Sequence, residues 1–349
     1  MIINTMNKIN FLAIGDTVID AFIKLTTASV HEDPHGENKT LCMPFAEKVP
    51  FESVTEIPAV GNSANAAVSA ARLGLSSALL TCLGADENGK KCLDQFAAEK
   101  VDVSEVNSIP GKITNYHYVL WYQNDRTILI KHELFEYHVP IIVPEYIYLS
   151  SLGENSLPFH HDMAAYLQAH PEVKLVFQPG TFQIKFGTDE LAEIYKRTHI
   201  LFCNKEEAIR ILKLDDKADH DIKHLLLGLR NLGVQLPVIT DGPFGAYTYD
   251  TDIRVVDSAT FDELTPVVHM PIYPDIKPPL ERTGAGDAFA STFTSALALG
   301  RTITEALMWG SINSMSVCQD IGAQRGLLTE EKIEAYIKVA PEGWGPVTL

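Results

Sequence analysis

Short apolar runs alternate with amphipathic, helix-length stretches over most of the 349-residue chain. Ile9–Ile14 is the first run, and it ends at Gly15-Asp16 as a buried strand opening onto a site would. Asn65–Leu73 is Ala-rich with helical spacing and stops at Gly74, a residue suited to a helix C-terminus. The spacing then predicts a strand over Ala78–Leu83 and a helix over Lys90–Glu99. Further on, strands predicted at Tyr146–Ser150, Lys174–Phe177, Ile200–Cys203 and Val238–Thr240 are interleaved with four helices. These cover His161–Ala169, Asp189–Lys196, Glu206–Leu212 and Ile222–Leu232. A helical last third follows, over Asp287–Leu299, Ile303–Ile321 and Glu330–Lys338. Such alternation specifies an α/β fold with a mostly parallel sheet and helices on both faces.

Two stretches break the rhythm. Phe22–Pro58 reads as irregular, with a strand over Lys39–Phe45 and a polar loop over His31–Asn38. Tyr116–Tyr122 and Thr127–His132 read as a hairpin joined by Gln123-Asn124-Asp125-Arg126. Both fit a small β-rich lid, from about 21–60 and 111–135, inserted in two pieces into one α/β domain spanning 1–349. Tyr116, Tyr118 and Tyr122 share one face of the predicted strand, with His117 and Trp121 on the other. The tyrosines either fit the pleated surface as aromatics generally do, or cover the substrate and stack on a base.

Composition narrows the function classes. At 46% hydrophobic the chain can bury a substantial core, and its formal net charge of −17 repels phosphate backbones and anionic lipid. Nucleic-acid and membrane partners are therefore not expected. Five scattered cysteines without a CxxC pair point to reduced thiols and a cytoplasmic protein. Neither a signal-peptide core nor a run of membrane-spanning length is present.

The strongest chemical signal is Thr283-Gly284-Ala285-Gly286-Asp287, placed at the start of a predicted helix. Two glycines leave backbone N–H groups uncovered at the positive end of the helix dipole, which suits a phosphoryl group in transfer. Asp287 can accept a hydroxyl proton there, or can be no more than a helix cap beside a glycine turn. Three companion loops share its setting. They are Val60-Gly61-Asn62-Ser63-Ala64-Asn65, Asn204-Lys205-Glu206-Glu207, and Thr240-Asp241-Gly242-Pro243-Phe244-Gly245. Ligands of open α/β sheets bind at strand C-terminal ends, where these loops are predicted. Gly84-Ala85-Asp86-Glu87-Asn88-Gly89-Lys90-Lys91 nearly spells a Walker A loop, but Lys91 replaces the Ser or Thr that would ligate magnesium. Gly284-Ala285-Gly286 is not a dinucleotide fingerprint, since Phe289 stands where the third glycine belongs. His160-His161-Asp162 lacks a third ligand at metal spacing and reads as surface or capping.

In the order Gly15…Asp20, Gly61…Asn65, Asn204…Glu207, Thr240…Gly245 and Gly284…Asp287, the chain resembles a PfkB (ribokinase-like) carbohydrate kinase from about Ile9 to Lys338. The resemblance implies a ribokinase-like three-layer sandwich and ATP-dependent phosphorylation of a sugar hydroxyl. Within it, Asp287 corresponds to the catalytic base, and Gly284, Ala285 and Gly286 to the anion hole. Asn204 and Glu207 would position Mg2+, largely through water. Thr240, Gly242 and Gly245 would form the nucleotide loop, with Gly322 and Ala323 near the adenine. Asp20, Gly61, Asn62 and Asn65 would hold the sugar hydroxyls, with Glu154 a further acceptor contact. The family's Asp-Thr-Thr is Glu281-Arg282-Thr283 here, which leaves open whether Glu281 and Thr283 bind a monovalent cation such as K+. Arg282 would contact phosphate or point to solvent. Asn62 stands where some members carry lysine or a second glycine. Lid strands that pair between copies would make a homodimer. The alternatives are a nucleoside kinase of the same fold, with the tyrosine face holding the base, or a substrate-binding regulator without catalysis.

Overall fold

The computed structural model describes residues 9–33, 39–123, 125–215, 218, 220–249 and 265–349. The chain opens with β1 (Phe11–Ile14), β2 (Val18–Leu25), the hairpin strands β3 (Ser29–Glu32) and β4 (Lys39–Cys42), and β5 (Phe51–Val60). Then come α1 (Asn62–Arg72), β6 (Ser77–Gly84), α2 (Glu87–Ala98) and β7 (Val106–Ile109), followed by β8 (Asn115–Tyr122) and β9 (Asp125–Leu129). The alternating part contains β10 (Tyr146–Leu149), α3 (Leu157–Ala169), β11 (Lys174–Phe177), α4 (Thr181–Glu190), α5 (Ala192–Arg197) and β12 (Thr198–Asn204). It continues through α6 (Lys205–Ile211), α7 (Ile222–Asn231), β13 (Leu236–Thr240), β14 (Ala246–Tyr249) and β15 (Val267–Met270). The last elements are α8 (Ala285–Ala298), α9 (Ile303–Val317), α10 (Glu330–Lys338) and β16 (Val347–Thr348).

One sheet runs β16-β15-β14-β13-β12-β11-β10-β1-β6-β7, parallel from β13 to β7 and antiparallel at the β14–β16 edge. All four residues of β1 are fully buried, as a central parallel strand covered on both faces requires. From β1 the chain winds toward β6 and β7 on one side and, later, toward β10 through β13 on the other. Right-handed crossovers in opposite directions place their helices on opposite faces, giving the three-layer α/β sandwich. The order reverses between β1 and β10, so their C-terminal ends, Asp16 and Ser151, frame a crevice.

A second sheet, β5-β2-β8-β9, and the β3–β4 hairpin are built from the stretches that broke the sequence rhythm. The irregular reading of Phe22–Pro58 is corrected here, because β2 and β5 are long paired strands. The first six residues of β5 are exposed, so no buried face imposes the alternation by which a strand is read. The β8–β9 connection is also tighter than expected. Tyr122 pairs with Asp125, and Gln123 takes a left-handed φ of 55°. His31 and Glu32, expected in a loop, belong to β3, and the rest of that loop, 34–38, lies outside the described residues. The helix expected over Asp189–Lys196 is two, with α4 interrupted by Gly187 at φ 86°. α9 stops at Val317, short of Ile321.

The Walker-like segment has a structural explanation. Asp86 caps α2 by accepting from Gly89 N at 2.7 Å, and it also accepts from Thr114 N and Thr114 Oγ1 at 3.0 and 2.7 Å. A Cβ on Gly84 would lie 2.5 Å from Lys112 O and 2.6 Å from Thr114 N. This turn is a packed junction at the root of β8, with its carboxylate facing its own helix.

Candidate active site

The chain enters α8 through Gly284, whose φ of 80° is left-handed and whose added Cβ would stand 2.3 Å from the Ala323 Cβ. Glycine is therefore needed for conformation and for space. Around a Cβ added to Gly286 nothing lies within 4 Å, so this second glycine keeps space open instead. Asp287 follows on the first turn, 8% exposed. Its carboxylate accepts Asn62 Nδ2 at 2.7 Å, Asn65 Nδ2 at 2.8 Å and Gln178 Nε2 at 3.2 Å. Burial pushes the Asp287 carboxyl above the ordinary aspartate value, and the three amide donors oppose that rise.

The amides are themselves fixed. Gly61, at φ 118°, brings α1 so near β1 that a Cβ would lie 2.5 Å from Asp16 O. Asn65 Oδ1 accepts from Gln324 Nε2 at 3.1 Å, and that same nitrogen donates to Ala59 O at 2.6 Å. Gln178 follows β11 and accepts the Tyr148 hydroxyl. Asn62 and Asn65, expected to hold sugar hydroxyls, line the cavity but spend an N–H each on Asp287. Gln178, Tyr148 and Gln324 were not singled out in the sequence. Gln178 does sit at the C-terminal end of β11, which was the available signal.

Two cavities meet at this helix start. One, of about 210 Å3, runs along Thr240, Gly242 and Gly245 to Arg282, Ala285 and Gly286. The other, of about 330 Å3, is lined by Asp287, Asn62 and Asn65, by Asp16 after β1, by Asp20, His117 and Arg126 of the smaller sheet, and by His132. Gly286 lines both. The second cavity thus takes side chains from both the main-sheet edge and the smaller sheet.

Other expected positions fall differently. Asn204 and Glu207 form a reciprocal cap on α6, with Glu207 N donating to Asn204 Oδ1 at 2.8 Å and Asn204 N to Glu207 Oε2 at 2.9 Å. Neither lines the two cavities. Burial raises the Glu207 carboxyl, and the nearby Asp287 charge adds to that rise. With one oxygen of each residue committed to the cap, the pair fits magnesium held through water better than direct ligation. Glu281 is a brace, accepting Gly322 N at 2.7 Å and Thr283 N at 3.2 Å. Its oxygens are thus engaged, while Thr283 Oγ1 is buried without a hydrogen-bond partner. Ala323 packs on Gly284 and lines the Asp287 cavity, and a Cβ on Gly322 would meet Ile57 Cδ1 at 2.4 Å. Neither residue lines the Thr240–Gly245 cavity. Glu154 is exposed on a turn, and Ser151 lines the cavity near that edge. Arg282 is exposed but lines the mouth of the Thr240–Gly245 cavity.

The tyrosine face is turned away from Asp287. Tyr116 and Tyr118 pack with ring centroids 5.1 Å apart and line a separate hollow with Leu129 and Lys131. His117, on the opposite face of β8, lines the Asp287 cavity. His160 is not a surface residue. It is fully buried, bonded to Ser156 O, and burial lowers its pKa to about 4.

A family model for pfkB carbohydrate kinases matches residues 41–330. The chain belongs to that family. As a pfkB member it is a kinase, an ATP-dependent phosphotransferase. It is 22% identical to a ribokinase of Haemophilus influenzae, over 86% of this chain and 95% of that protein. It is 27% identical to a cytidine kinase of Thermococcus kodakarensis, over 75% of this chain and 88% of that one. The solved Arabidopsis thaliana ribokinase, complexed with ribose and ATP, superposes with a TM-score of 0.72 at 17% identity, covering 95% and 99% of the two chains. At that identity the likeness is one of fold.

Proposed function

We propose that this pfkB kinase transfers the γ-phosphoryl group of ATP to a hydroxyl of a sugar or sugar derivative, with Asp287 as the base. The observation that carries this reading is the placement of Asp287 and Gly286 where the two cavities join. ATP would lie along Thr240–Gly245 with its γ-phosphate toward the α8 N-terminus. The acceptor would sit beside Asp287. As the acceptor oxygen bonds to phosphorus and the bond to the ADP oxygen breaks, the hydroxyl proton passes to Asp287. Backbone N–H groups at Gly284–Gly286 hold the charge on the phosphoryl oxygens. Magnesium, when bound, neutralises the phosphates. The smaller sheet acts as a lid that excludes water, a competing acceptor.

The 27% identity to a cytidine kinase favours a nucleoside acceptor as the second reading. Against it, the tyrosines that could stack on a base face away from Asp287. A regulator without catalysis has no use for a buried carboxylate cradled by three amides. The test is ATP-dependent turnover across sugars, sugar phosphates and nucleosides, with Asp287→Ala as control. Loss of turnover with retained acceptor binding supports the assignment, and full activity in the variant overturns it.

A further inference from the structure

The amide of Asn65 carries one acceptor and one donor group, which exchange places if the side chain turns over. Its Nδ2 donates to Asp287 Oδ2 at 2.8 Å, while its Oδ1 accepts Gln324 Nε2 at 3.1 Å. Gln324 has the same two-way choice, and the main chain settles it. The same Nε2 donates to Ala59 O at 2.6 Å, and a backbone carbonyl can only accept. The Gln324 nitrogen must therefore face Ala59, and its other N–H goes to Asn65. That leaves Asn65 to point its own N–H at Asp287. Ala59, Asn65 and Gln324 are all buried, so bulk water does not compete for these bonds. Both ends of the chain are anchored. Ala59 stands in a bulge of β5, where Val18 pairs with Val60 but Asp20 with Ile57, and its φ of 62° is left-handed, which an alanine adopts only at a cost. Arg72, at the end of α1, ties down the loop that bears Gln324, its Nη1 donating to Gln324 O at 2.7 Å and Leu327 O at 3.0 Å. The rest of that guanidinium grips Glu99 with two bonds of 2.8 and 2.7 Å. Gln324 itself lines neither cavity, so its side chain serves Asn65 and not a ligand.

We infer that Gln324 is a positioning residue, which locks the Asn65 amide with its N–H toward Asp287, so that a proton on Oδ2 would find no acceptor in Asn65. An ionised carboxylate is served by N–H donors, whereas a protonated one needs an acceptor for its own O–H. Free to turn over, Asn65 could offer Oδ1 to the protonated acid and stabilise it. Held as it is, Asn65 serves only the ionised form, the one able to take a hydroxyl proton. Burial presses Asp287 toward the protonated form, and the lock opposes that pressure. Other titratable groups surround the carboxylate. Tyr148 on β10 and Glu207 on α6 feel its charge, and Asp16, Asp20, His117, Arg126 and His132 line its cavity. Among the described residues, the Gln324 side chain is hydrogen-bonded to none of these, so a change at Gln324 reaches Asp287 through Asn65. The catalytic value of the lock rests on Asp287 being the base, as proposed above.

Titration of Asp287 in the full chain tests the lock without any ligand. With aspartate labelled by 13C at the carboxyl carbon, the Asp287 resonance is identified by its loss in Asp287→Asn. Gln324→Met keeps the length of the side chain but has no N–H. In that variant Asp287 should titrate about one pH unit higher than in the wild type, roughly a tenfold gain in proton affinity. In an Asn65→Ala background the same substitution should move the titration by less than about 0.3 pH unit, since nothing is left to orient. Turnover is then followed with ATP and magnesium on D-ribose, D-fructose and cytidine. The acid limb of kcat should move up with the titration, and the plateau at higher pH should stay within about threefold. An unmoved or lowered titration in Gln324→Met, or an equal shift with and without Asn65, overturns the lock. Gln324→Leu repeats the measurement if thermal unfolding shows the Met variant to be unfolded, and failure of both to fold would make Gln324 a structural residue and overturn the lock as well. A raised titration with an unmoved acid limb, or with full activity in Asp287→Ala, would instead remove Asp287 from the chemistry and leave the lock standing.

Discussion

Around one cavity, the Asp287 carboxylate accepts three amide N–H groups, whereas Asp16, Asp20, His117, His132 and Arg126, which line it too, each leave a buried atom without a hydrogen bond. The Asp287 carboxylate is held before any ligand arrives, and its partners are in turn held by Gln324 and Tyr148. On the smaller sheet, Asp20, His117 and Arg126 keep buried atoms that bonds to a ligand would satisfy. Groups that act in the transition state gain from being fixed in advance, because nothing then has to reorganise during reaction. Unsatisfied groups facing a cavity favour a ligand that bonds to them, because any other leaves their desolvation uncompensated.

Substitutions on the α8 side test this contrast most severely. Asp287→Ala should lower kcat by about 1,000-fold with KM changed only a few-fold, as loss of a general base does. A kcat above a tenth of wild type would move the chemistry elsewhere. Gly284→Ala must accept both a left-handed φ and the Ala323 Cβ, and should lose about 2–3 kcal/mol in urea unfolding. A loss under 0.5 kcal/mol would show that this turn relaxes freely.

Gln178→Leu tests the electrostatics. Burial makes the folded chain hold the Asp287 proton to higher pH than the unfolded chain does. The associated stability is therefore complete below the unfolded value and is lost as pH climbs through the raised folded one. The base is active only when ionised, so activity should fall on the acid side, through a pKa above that of an ordinary aspartate. Removing the Gln178 donor removes one opposing cause, so the acid limb of kcat against pH should move to higher pH. A limb that stays fixed or moves down would break the assignment. The smallest effect belongs to the exposed Lys24–Glu52 pair on the smaller sheet, at 2.8 Å, where Lys24→Ala should change unfolding stability by less than about 0.5 kcal/mol.

Legibility in the sequence follows the same division. Strands of the main sheet are buried on both faces and appear as apolar runs, so β1, β10, β11, β12 and β13 were read close to their ends. β5 exposes six residues and carries no such run. The Asp287 segment was legible because its glycines and helix start are contiguous. Gln178 and His132 were not, because each meets its partner only across the fold.

By itself the sequence determined the family, the parallel α/β framework and the position of the helix start that carries Asp287. Those follow from local periodicity and from motifs whose residues are neighbours in the chain. Only the tertiary structure decided that Asn62, Asn65 and Gln178 hold the carboxylate, that Asn204 and Glu207 cap each other, and that His117 faces the cavity while the tyrosines face away. Those facts depend on strand register and on contacts between residues as many as 225 positions apart. A one-residue slip of β8 would turn His117 out and the tyrosines in, since successive side chains point to opposite faces.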